Sequence, residues 1–247
     1  MKETRIIMGM HITVEIVDRQ GTSKIFEEIF SYFTAVDSQF STYKNDSEIM
    51  RINRGEISTD NYSSEMQEIF SLAKKTKRET FGYFDIKKPD GTLDPSGIVK
   101  GWAIQNAAKL LLKKGYRNFY IDAGGDIQSR GLNAQGNEWN IGIRNPFKTE
   151  EIIKVVRARG QGVATSGSYI RGQHIYNPHV PENKLLDVVS LTVIGSDILE
   201  ADRFATAAFA MGKEGINFIE QLPGFEGYAI DSAGIATFTS NFELYTK

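Results

Sequence analysis

Cysteine is absent from this 247-residue chain, and histidine is limited to His11, His174 and His179. Those two shortages exclude disulfides, thiolate metal centres and cysteine nucleophiles, and they leave too few imidazoles for a polyhistidine site. Any metal is therefore expected to be a hard cation held by oxygen. Charge of one sign is lacking as well: 29 basic residues face 31 acidic ones, a formal net charge of −2. Such a balance gives no bulk attraction to nucleic acid or to an anionic membrane. No stretch approaches the roughly 20 apolar residues of a membrane span. The N-terminal residues run straight into a strand-like pattern without the apolar core of a leader. A cytoplasmic protein, without membrane insertion, is the resulting expectation.

What is present is ordinary for a globular enzyme, with 40% hydrophobic and 24% charged residues. Ile6, Met8, Met10, Ile12, Val14 and Ile16 alternate and predict one half-buried strand over 5–17. Ile25, Phe26, Ile29, Phe30, Phe33 and Val36 recur at helical spacing from Ser23 onward. Residues 41–56 read as a loop with a short helix, and Ser64 with Gln67 predicts a capping-box start for a helix to about Thr80. After a turn-rich segment at 85–95, Ser96 is the expected N-cap of a third helix that Gly115 closes. Strands are predicted at 117–123, 138–144, 151–158, 162–165 and 188–194, and two or three more over 225–245. Between them a helix is expected from Ile198 to Met211, with Asp197 and Glu200 at its start. Strands in series with separate helices indicate α+β, with residues 1–247 as one domain.

Four clusters hold residues that packing alone does not require. Asp94-Pro95-Ser96-Gly97-Ile98-Val99-Lys100-Gly101 lies at a helix start, where free N–H groups and the helix dipole favour an anion and Lys100 falls in the first turn. The same residues also describe a capped surface helix with a solvated lysine. Asp122-Ala123-Gly124-Gly125-Asp126 follows a strand and permits either close ligand approach or a plain tight turn. Ala164-Thr165-Ser166-Gly167-Ser168, followed by His174-Ile175, offers hydroxyls for phosphate and one imidazole for proton transfer; a structural histidine is the alternative. Asp202 and Thr206 are four apart, so a carboxylate and a hydroxyl share one helix face and can present two oxygens to Mg²⁺. A dipole-stabilising Asp and a back-bonded Thr are the structural alternative.

In this order the clusters resemble the FAD:protein FMN transferase family, the ApbE-type flavin transferases. The resemblance starts at Met8-Gly9 and runs through Phe40-Ser41-Thr42-Tyr43-Lys44, Asn53, Phe84-Asp85-Ile86, the Asp94–Gly101 stretch and Gly124-Gly125-Asp126. It continues through Ala164-Thr165-Ser166-Gly167 and His174-Ile175 to Asp202 and Thr206. It implies a tunnelling-fold-like, mostly antiparallel sheet with packed helices, in two lobes around an FAD site. It implies Mg²⁺ held by Asp202, Thr206 and the Gly97 carbonyl. It also implies FAD contacts from Met8, Ser41, Tyr43, Phe84, Asp85, Ile86, Asp94, Lys100, Ser166, His174 and Ile175. Members move FMN from FAD to a Thr or Ser hydroxyl of an acceptor flavoprotein and release AMP. Under that resemblance Lys100, Asp202 and His174 are the expected catalytic residues, with His174 accepting the hydroxyl proton. The chain departs from the family's usual residues at Met10, Lys87 and Asn177. Hydrolysis of FAD to FMN and AMP, or FAD binding without turnover, are the competing functions.

Overall fold

The computed structural model describes residues 1–18, 22–168, 175–182 and 187–246. The chain opens with a hairpin rather than the single strand that alternation suggests. β1 (Lys2–Ile7) pairs antiparallel with β2 (Met10–Ile16). Met8 and Gly9 both take positive φ, 56° and 69°, which is the two-residue turn that matches strand twist. Alternation continues unbroken through that turn, so the pattern alone hides the reversal. The cost shows in Ile6, which is 72% exposed, while Ile12, Val14 and Ile16 are fully buried.

Helices α1 (Ser23–Phe40), α2 (Glu48–Asn53) and α3 (Ser64–Glu79) follow. Phe26, Phe30 and Phe33 of α1 are at most 1% exposed, and each contributes about 1.5–3 kcal/mol by leaving water. The cap of α3 is Ser63, whose hydroxyl accepts from the Met66 amide, one residue before the expected Ser64. Gln67 instead donates to the Tyr62 carbonyl. α4 (Ser96–Lys113) likewise begins after Pro95, so Ser96 is its first residue and not its cap.

Four strands come next, β3 (Phe119–Ala123), β4 (Asp126–Arg130), β5 (Trp139–Arg144) and β6 (Ile152–Ala158). Then come β7 (Gly162–Gly167), β8 (Val188–Gly195), α5 (Ile198–Ala210), α6 (Gly215–Glu220), β9 (Glu226–Asp231) and β10 (Ala236–Phe238). β4 and α6 were not anticipated from the sequence, since both are short and lack a clear apolar period. Eight strands form one sheet in the order β1-β2-β3-β4-β7-β8-β9-β10, every pairing antiparallel. The helices cover one face of it, burying the larger core. On the other face β5 and β6 form a two-stranded ribbon that packs Ile141, Ile143 and Val156 against Ile127, Val163 and Tyr228. The class is α+β, and no helix among the described residues is long and apolar enough to cross a membrane.

Candidate functional site

α5 is the most buried helix, and contacts near and far in sequence hold its first turns. Asp197 accepts from the Glu200 amide at 3.1 Å, and Gln128 Oε1 accepts from the Ile198 amide at 2.9 Å. Arg203, only 3% exposed, is held by Glu79 and Glu200, which offsets the cost of burying its charge.

Along the seam between α4 and α5 the side chains are small. A β-carbon on Gly101 would lie 2.7 Å from Asp202 Cβ, and one on Gly97 would lie 3.2 Å from Thr206 Cγ2. Two glycines one turn apart on α4 therefore let the backbone touch the very face of α5 that carries Asp202 and Thr206. That contact sets the site. Gly101 N–H donates to Asp202 Oδ2 at 2.7 Å, and Thr206 Oγ1 lies 3.4 Å from the Gly97 carbonyl oxygen.

Lys100 points from the same helix turn to Asp126, with Nζ 2.5 Å from Oδ2. Asp126 is 1% exposed, and its Oδ1 accepts from the Thr165 amide at 3.0 Å. The lysine is thus a partly buried ion-pair member, not the solvated surface residue that a capped helix would allow. Burial pushes the Asp202 carboxyl well above the usual range, and the neighbouring Asp126 adds to the shift while Lys100 opposes it. Two buried carboxyls beside one lysine make a place that attracts a further cation. Asp126 was noticed only as the end of a glycine turn, because its partners are 26 and 39 residues away in sequence.

Two clefts meet at Ser96 and Lys100. The first, about 750 Å³, is lined by Phe84, Asp85, Ile86, Asp94, Gly97, Ile175, Asp202 and Thr206 among the residues expected from sequence. Tyr83, Lys88 and Tyr176 join them without having been anticipated. The second, about 490 Å³, is lined by Met8, Ser41 and Tyr43, with Met10 and Phe40 beside them. Tyr43 is 96% exposed, an aromatic ring at the edge of this cleft.

The rim is tied locally. Asp85 pairs with Lys77 at 2.5 Å and accepts from the Lys87 amide. Asp94 pairs with Lys88 at 3.0 Å and accepts from the Ser96 amide. Asn53 clamps the loop between them, exchanging two hydrogen bonds with the Leu93 backbone at 2.8 and 2.9 Å. Ser166 lines neither cleft. It sits buried on β7, two residues on from the core residue Ala164. His174 falls outside the described residues.

A lysine, buried carboxyls, a carbonyl and a hydroxyl converging where two clefts join suit a phosphate-bearing ligand together with a hard cation. Among the described residues no three acidic or histidine side chains gather into a metal cluster. A magnesium site that borrows substrate oxygens and water does not require one.

The comparisons lead to one family. The ApbE family model matches residues 8–88 and 86–229, and the chain belongs to that family. An FAD:protein FMN transferase of Escherichia coli strain K12 is 25% identical, covering 88% of this chain and 80% of its own length. One from Haemophilus influenzae is 24% identical and covers 100% of this chain and 93% of its own. Among solved structures, the flavin transferase ApbE from Vibrio cholerae superposes with a TM-score of 0.86 at 23% identity, over 99% of this chain and 98% of its own. The ApbE protein of Thermotoga maritima gives 0.87 at 20% identity, over 100% and 99%. These structures establish the fold, a helix-backed antiparallel sheet.

Proposed function

We propose that this chain is a single-domain, magnesium-dependent flavin transferase that moves FMN from FAD to a Thr or Ser hydroxyl of an acceptor flavoprotein. The observation that supports this most is the position of Lys100, on the wall common to both clefts and next in sequence to Gly101, whose amide holds Asp202. A dinucleotide spanning the two clefts has its pyrophosphate at that wall. Flavin and adenosine then lie on either side, against Met8, Ser41 and Tyr43 in one cleft and Phe84, Asp85, Ile86, Asp94 and Ile175 in the other.

In the reaction the acceptor oxygen forms a bond to the flavin-side phosphorus, and the anhydride P–O bond breaks. AMP leaves with the bonding electron pair, and the hydroxyl proton passes to a base. Lys100 neutralises charge that builds on the anhydride oxygens, a stabilisation that is stronger away from bulk water. Gly97, Asp202 and Thr206 would hold Mg²⁺, which supplies charge neutralisation at the pyrophosphate. Gly101 N–H keeps Asp202 turned toward that point. His174 is assigned the proton on the sequence reading, and Ser166, buried on β7, stays a flavin-contact candidate on that same reading. The reaction is placed in the cytoplasm on the same sequence reading, which cell fractionation tests.

The test is mass spectrometry of flavoproteins co-expressed with this chain. Transfer predicts an acceptor heavier by one FMN unit at a Thr or Ser, and AMP in equal amount. AMP and free FMN with no labelled protein would instead mark a hydrolase.

A further inference from the structure

A third cavity, about 1090 Å³, lies on the sheet face opposite the helices, between the β5–β6 ribbon and the outer surface of β3. One wall is the outer face of the ribbon, with Asn140, Gly142 and Arg144 from β5 and Val155 from β6. The floor is Tyr120 and Asp122, closed by the Gly124–Gly125 turn and Thr165. Neither flavin cleft includes any of these residues.

Its position relative to the reacting centre is informative. The turn at its end leads directly into Asp126, which holds Lys100, and the Thr165 amide donates to that same carboxylate. Gly124 also abuts the second flavin cleft, since a β-carbon there would lie 3.0 Å from Met10 Sδ. The cavity and the flavin clefts are therefore back to back across one hairpin turn. At Gly125 a β-carbon would meet nothing within 4 Å, so the crossing point is open. The walls are also unlike ordinary surface. Ile152 and Val155 are 52% and 45% exposed although aliphatic, and Arg144 and Asn140 offer donors beside them.

We infer that this groove docks an extended segment of the acceptor polypeptide and delivers its Thr or Ser hydroxyl over the Gly124–Gly125 turn to the Lys100 end of the flavin site. The inference rests on the transferase reading, which needs a third component to reach a pyrophosphate already flanked by two occupied clefts. Gly125 leaves the crossing open, Val155 and Ile152, the latter packed over Gly142, give the segment apolar cover, and Arg144 and Asn140 fix its direction.

The test uses the full chain, FAD with Mg²⁺, and a pool of biotinylated twelve-residue peptides with one central Thr and randomised flanks. Val155→Arg fills the groove from an exposed position, and Arg144→Ala removes a donor; neither residue touches the flavin clefts. Both variants should bind FAD as the unaltered protein does and keep its melting temperature. Peptide labelling at subsaturating pool should fall by roughly tenfold or more, tenfold being about 1.4 kcal/mol, through a higher KM with kcat retained. Undiminished labelling in both variants would overturn the groove alone, whereas no peptide labelled by an unaltered protein that cleaves FAD would overturn the transferase reading beneath it. Failure of the unaltered protein to bind FAD would overturn the flavin reading beneath it.

Discussion

Asp202 and Asp126, beneath the place where the two clefts meet, take their hydrogen bonds from main-chain amides 101 and 39 residues away. Asp85 and Asp94, on the rim of the flavin site, take theirs from amides two residues along. The floor carboxylates are 3% and 1% exposed, and the rim pair is only partly buried. A floor of this kind exists only when the fold is complete, because its donors come from α4 and β7. The rim loops carry their own Asx turns and surface ion pairs, so each rim carboxylate is set by neighbours close in sequence. The difference assigns the chemistry to rigid elements and the recognition to loops. It also says how each part should fail. Floor changes should lower stability and activity together or remove the reaction outright, whereas rim changes should alter affinity with little effect on folding.

The largest effect is expected at Asp202. Asp202→Asn keeps the shape but removes the charge that would offset a divalent cation, so AMP release from FAD at low magnesium should drop by several kcal/mol of transition-state stabilisation. Thermal unfolding run beside the assay separates this from misfolding. Near-native AMP release would place the metal elsewhere.

Lys100→Ala tests whether floor residues carry stability as well as function. Removing the lysine leaves Asp126 buried without its cation. Breaking a fully buried pair costs roughly 3–5 kcal/mol, and the remaining water around Lys100 should reduce that to about 2–3 kcal/mol. Lys100→Ala with Asp126→Asn should recover most of the stability in urea titrations but none of the FAD affinity. If the double variant bound FAD normally, Lys100 would have only a structural role.

Gly101→Ala probes the seam itself. The added carbon would approach Asp202 Cβ to 2.7 Å, and forcing α4 and α5 apart should cost about 1–3 kcal/mol. A melting temperature equal to that of the unaltered protein would show that the seam yields without strain.

The smallest effect belongs to the rim. Desolvation raises the Asp94 carboxyl, but the Lys88 and Ser96 bonds outweigh it and hold it below the usual carboxylate range. A depressed folded-state value contributes stability that is present above the unfolded value, near 4, and is lost as pH falls through the folded one. Lys88→Ala should therefore lower stability at neutral pH by no more than about 0.5–1 kcal/mol, since the pair is solvent-screened. The gap between variant and unaltered protein should close in acid. A gap that persisted at pH 2 would point to lost packing.

The same contrast explains what the sequence makes visible. Asp197 as a cap, the apolar stripe of α1 and the extent of α5 are short-range features, and the structure has them where periodicity and capping predict. Asp202 and Thr206 could be paired because helical spacing alone places them on one face. Asp126 could not be paired with Lys100, because that contact depends on how β4 lies against α4. The β1–β2 turn escaped because Met8 keeps the alternation intact while taking a backbone conformation that methionine seldom adopts. Ser166, expected as a ligand residue, lies buried on β7 and lines neither cleft. Tyr83, Lys88 and Tyr176 enter the first cleft only because the Asn53 clamp and the His179 contact to the Phe81 carbonyl fold separate loops together.

The central claim is that the lysine, the carboxylates and the neutral oxygens of the α4–α5 seam act on a pyrophosphate through a divalent cation. The most direct measurement is AMP release from FAD by the unaltered, chelator-stripped protein across a magnesium titration. The account predicts release that is negligible without magnesium, rises to saturation as it is added, and is abolished again by chelator. Full release in the absence of any divalent cation would contradict it.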